Sequence, residues 1–93
     1  MPTYILLSTL TQQGVQTLKA SPERLLQVNK DIEEFGIRVL HQWATLGEFD
    51  FVNVVEAADI ETILRASISI AARGSVRIET LPALEIADFL KNF

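Results

Sequence analysis

With 93 residues, 48% hydrophobic and 22% charged, the chain is long enough for one small core and too apolar to stay disordered. The absence of cysteine excludes a disulfide scaffold and a thiolate zinc site together. Eight basic against twelve acidic residues leave a net charge of −4, which disfavours nucleic-acid phosphates and anionic lipid headgroups as partners.

Tyr4 to Leu10 is an apolar run too short for a helix and closed by Thr11-Gln12-Gln13-Gly14, which predicts a buried strand. The N-terminal segment has no basic flank and no long apolar region, and nothing in the chain approaches the ~20 apolar residues of a membrane span. A cytoplasmic protein is the expectation. Val15 to Ala20 predicts a turn or two of helix. Ser21-Pro22-Glu23 then offers an N-cap, a proline at the first helical position and an acid in the first turn. Leu25, Val28, Ile32 and Phe35 give the following helix one apolar face, and Gly36 ends it.

Ile37 to Thr45 and Phe49 to Glu56 are two β-type runs with Leu46-Gly47-Glu48 between them, the pattern of a hairpin. Asp59 can cap a second long helix, with Ile60, Ile63, Leu64, Ile68 and Ala71 expected on one face and Glu61–Arg65 as an exposed pair. Gly74 ends it. Ser75 to Leu81 predicts a fourth strand broken by Pro82, and Leu84 to Phe93 a short terminal helix. The whole chain, 1–93, therefore predicts a single α+β domain with the ferredoxin-like order β-α-β-β-α-β and a short C-terminal helix.

Two helices cover one face of a four-stranded antiparallel sheet and leave the other open. Alternation assigns the faces. Ile5, Leu7, Leu40, Val52, Val54, Val76 and Ile78 are expected under the helices, with Gln42 as an awkward neighbour there. Tyr4, Leu6, Ser8, His41, Trp43, Phe51, Asn53, Arg77 and Glu79 are expected on the open face. Three aromatics and a leucine do not belong on a solvated surface, so the open face calls for a second copy of the chain: a homodimer, or a higher oligomer built on it.

The opening Pro2-Thr3-Tyr4-Ile5-Leu6-Leu7, the helix start Ser21-Pro22-Glu23-Arg24 and the hairpin Gly47-Glu48-Phe49-Asp50-Phe51-Val52 resemble the GYD-domain family. Glu56-Ala57, Gly74-Ser75-Val76-Arg77 and Glu79-Thr80-Leu81 are similar to its second half. Phe49 stands where the Gly-Tyr-Asp signature has tyrosine, so the ring is kept and the phenol hydroxyl is not. The resemblance implies a small, mostly bacterial or archaeal protein of the dimeric α/β-barrel group. That group includes oxygenases with and without heme as well as proteins of no known reaction.

Tyr4, His41, Trp43, Asn53, Arg77 and Glu79 are the candidate ligand-binding residues, around a cavity between sheet and helices or between subunits. The alternative is a cofactor-free oxygenase or isomerase, with His41 as acid–base and Arg77 stabilising an enolate-like anion. A third possibility is an assembly or regulatory module with no ligand. Each residue also has a structural role open to it: His41 as a hydrogen-bonded strand histidine, Arg77 and Glu79 as an ion pair, Asp50 as an acceptor for turn N–H groups. One histidine without cysteine predicts no metal site, and no cofactor is called for. An RNA-recognition role lacks its basic-Gly-Phe signature. A phosphate cradle after the first strand lacks an arginine, the first in the chain being Arg24.

Overall fold

Thr3–Leu10 (β1), Arg38–Ala44 (β2), Phe51–Glu56 (β3) and Val76–Ala83 (β4) are the strands of the computed structural model, which describes residues 1–93. Between them run Gln12–Ala20 (α1), Arg24–Glu34 (α2) and Ile60–Ala71 (α3), and Ile86–Leu90 forms a short α4. All strand pairs are antiparallel in the order β2-β3-β1-β4, so the expected ferredoxin-like α+β arrangement is present. No helix is long and apolar enough to cross a membrane.

Local chemistry fixes the helix ends. Thr11 starts α1 earlier than the sequence predicts, because its hydroxyl accepts the Gly14 N–H at 3.1 Å. The same hydroxyl donates to the Gly74 carbonyl at 2.6 Å, and the Thr11 N–H donates to the Ser75 carbonyl at 3.0 Å. Ser21 is not the cap of α2. Ser21-Pro22-Glu23 forms a turn in which the Ser21 carbonyl accepts the Arg24 N–H at 3.0 Å, and the helix begins only at Arg24. Gly36 and Gly74 end α2 and α3 with φ of +81° and +83°, where a side chain is strained.

Asp59 caps α3 as expected, accepting the Thr62 N–H at 2.9 Å and its hydroxyl at 2.8 Å. The backbone and side-chain bonds from Thr62 hold its carboxyl below the ordinary value of 3.8. A lowered pKa in the folded state means that the cap stabilises above the ordinary value and is lost as pH falls through the lower folded one. Asp59→Ala is therefore expected to unfold more readily than wild type at neutral pH. The gap should narrow in strong acid, read by urea unfolding at both.

The core gathers Tyr4, Leu6 and Val55 from the sheet with Ile32, Ile37, Ala57, Ile63, Ala66 and Ile70. This reverses the expected faces of β1 and β3. Tyr4 lies opposite Val55, Leu6 opposite Asn53 and Ser8 opposite Phe51, all on the helix side, while Ile5, Leu7, Val52 and Val54 take the open side. Both strands are apolar at odd and even positions alike, so alternation has no contrast to work with. For β4 the expected faces hold: Val76 and Ile78 lie under the helices, and Arg77 and Glu79 are exposed.

β2 carries a bulge between Val39 and His41. Val39, not Leu40, packs on the core, and Leu40 is the inserted, exposed residue. His41 and Trp43 stay on the open side, opposite Val54 and Val52. In α3 the buried stripe is Ile63, Ala66 and Ile70, whereas Ile60, Leu64, Ile68 and Ala71 face outward. Pro82 does not break β4, which runs on to Ala83 because it is an edge strand.

Candidate functional site

The six residues singled out in the sequence do not form one site. Tyr4 and Asn53 lie between sheet and helices, 5% and 7% exposed. His41, Trp43, Arg77 and Glu79 lie on the opposite, open face. A sheet one residue thick separates the two groups, so no single small ligand touches both.

Beneath the helices is a cavity of about 160 Å³. Its wall is mainly apolar, with Leu6, Val28, Phe51 and Ile63 contributing, and it holds two buried polar side chains, Ser8 and Asn53. The Asn53 Oδ1 is buried and has no hydrogen-bond partner within the chain. Such an atom is costly to bury unpaired, and native structures hold few of them. Arg24 and Arg73, both exposed, also line the cavity. Arg73 is committed to Asp31, and that hydrogen bond is the main reason the Asp31 carboxyl is held below its ordinary value. Gln42, the awkward neighbour, is indeed on the covered side. Its amide exchanges two hydrogen bonds with Asn29 of α2, at 2.8 and 3.0 Å, and ties the edge strand to the helix layer.

On the open face, Ile5, Leu7, Val52 and Val54 are half-buried, and Trp43 and Leu81 are 51% and 42% exposed. His41 stacks flat on Trp43, ring centroids 5.3 Å apart and planes 9° apart. It lines neither cavity. Arg77 and Glu79 form no ion pair, with each other or elsewhere in the chain. They border a second, open pocket of about 280 Å³ with Leu7, Thr9, Glu48 and Phe49, the aromatic of the hairpin signature. Asp50 accepts a backbone N–H, as its structural role predicts, but from Leu10 at 2.8 Å rather than from the turn. That bond fastens the hairpin to the end of β1.

Two features escape the sequence reading. One is the cavity wall at Ser8, hidden because alternation puts Ser8 on the wrong face. The other is the outer stripe of α3, where Ile60, Leu64 and Ile68 are 52%, 53% and 68% exposed. Its signal is legible: Ile60–Ala71 has more apolar residues than one helix face can bury.

A protein of Thermus thermophilus, named glutamine synthetase and cystathionine beta-lyase binding protein, is 53% identical over 91 residues, covering 97% of this chain and 96% of that one. Two solved structures share the fold. TTHA0845, also from Thermus thermophilus, has a TM-score of 0.53 at 23% identity, over 91% of this chain and 95% of that one. FFRP-DM1 has a TM-score of 0.54 at 20% identity, over 90% and 100%. At such identities the likeness is one of fold alone. The model of the GYD domain matches residues 4–92, nearly the full length, and the chain belongs to the GYD-domain family.

Proposed function

We propose that this chain is a small binding protein that pairs with a second copy of itself through the open sheet face and docks on other enzymes. Glutamine synthetase and cystathionine beta-lyase are the first candidates, because a relative of matching length and 53% identity is named for binding them. The observation that carries the reading is a pair of apolar surfaces with no partner inside the chain. The open sheet face is self-complementary in charge as well as apolar. It presents Arg77 beside Glu79 and Arg38 3.9 Å from Glu56, so a two-fold axis can set each sign against its opposite. The α3 stripe of Ile60, Leu64 and Ile68 lies on the far side of the helix layer and stays available for an enzyme. Such a protein works beside its partners in the cytoplasm.

The test is titration of the full chain onto each purified enzyme from the same organism, read by surface plasmon resonance. Saturable binding to at least one enzyme, weakened at least tenfold by Leu64→Asp, supports the proposal. No binding to either enzyme, or undiminished binding by the variant, overturns it.

A second reading, binding of a small molecule, draws its support from the cavity under the helices and its unpartnered Asn53 amide. The acid–base alternative draws none, since within one chain His41 has no chamber around it.

A further inference from the structure

We infer that the cavity beneath the helices takes an uncharged, single-ring aromatic molecule bearing one hydroxyl-type group, which the Asn53 amide reads. The inference rests on the small-molecule reading and adds the ligand's class. Size comes first. At about 160 Å³ the space matches the apolar cavity of roughly 150 Å³ that admits benzene. The wall comes second, with Leu6, Val28, Phe51 and Ile63 supplying apolar contact for a ring.

Polarity decides the rest. Asn53 is 7% exposed and lines the cavity, while its unpaired Oδ1 is packed away from open space as the side chain stands. The terminal torsion of asparagine is broad, so the amide can turn either end toward a guest. A hydroxyl suits both orientations, donating to Oδ1 or accepting from Nδ2. A charged end would bond one end of the amide but be stripped of water with no countercharge beside it. No ionisable side chain is buried beside Asn53: Arg24 is exposed, and Arg73 is already bound to Asp31.

Phenol and toluene are the probes, titrated onto the full chain by calorimetry and by NMR shifts of the cavity methyls. The expected order for wild type is phenol tighter than toluene by about fivefold or more, the worth of one hydrogen bond. In a dry apolar cavity the order is the opposite, because the hydroxyl leaves its water bonds behind. Asn53→Leu, which removes the amide at similar volume, should therefore invert the preference when combined with Ser8→Ala, which removes the cavity's other buried polar group. If wild type holds toluene as tightly as phenol, the role of Asn53 is overturned and the cavity still binds. If it holds neither, the small-molecule reading falls too.

Discussion

Gly14→Ala is expected to destabilise the fold by about 3 kcal/mol, at the upper end of what overpacking costs. A Cβ on Gly14 would stand 1.9 Å from the Ser75 carbonyl oxygen and 2.9 Å from its carbon. Backbone cannot swing aside as a flexible side chain can. The oxygen it would strike also accepts the Thr11 N–H, and the neighbouring Gly74 carbonyl accepts the Thr11 hydroxyl. Relieving the clash thus strains the joint between the start of α1 and the end of α3. Alanine's better helix propensity, worth about 0.5–1 kcal/mol, is already counted in that figure. In a domain of this size the net loss corresponds to a melting temperature lower by roughly 12–24 °C. Gly36→Ala is the matched control. Nothing lies within 4 Å of its added Cβ, so only the positive φ is penalised, at about 1–2 kcal/mol. If Gly14→Ala melts no lower than Gly36→Ala, close approach to Ser75 is not what requires a glycine there.

Val54→Lys is expected to turn the proposed homodimer into a monomer. Val54 sits on β3 between Ile5 of β1 and His41 of β2, near the middle of the open face, with no carboxylate directly opposite. In a single chain the position is half-exposed, and a lysine there can keep its ammonium in water. Against a second copy the ammonium loses that water among Ile5, Leu7 and Val52. A penalty of about 3 kcal/mol raises the dimer dissociation constant by roughly a hundredfold. Sedimentation velocity separates the outcomes: the wild-type chain at twice its mass and the variant at its own mass, both with the same circular dichroism. A variant that sediments with wild type means that copies meet elsewhere.

The order of elements, the Asp59 cap, the two helix-ending glycines and the faces of β4 are legible in the sequence because each depends on a few neighbouring residues. β4 shows its faces because Val-Arg-Ile-Glu alternates. β1 and β3 hide theirs because Ile5 and Leu6, or Val54 and Val55, are equally apolar. For those strands the face is chosen by which side the helices cover, a fact held in the tertiary fold. Asn53 is misplaced by the ordinary rule that a polar residue points to water. The rule fails where a cavity replaces close packing, and that failure marks the residue as a candidate for function. Tyr4 is misplaced along with β1, whereas His41 and Trp43 come out on the correct side. The bulge at Leu40 shifts their parity relative to Val39, and no period of two reveals it.

Leu40 and Pro82 have a joint consequence for how many copies can come together. β2 and β4 are the two outer strands, and an unbroken outer strand invites another chain to continue the sheet without limit. The bulge bends one of these edges, and the proline, lacking an N–H, interrupts the other. Growth strand by strand into fibres is thereby discouraged at both margins. In the proposed pairing, association is left to the faces, where a symmetric contact consumes the surface that made it and the assembly closes at a finite size.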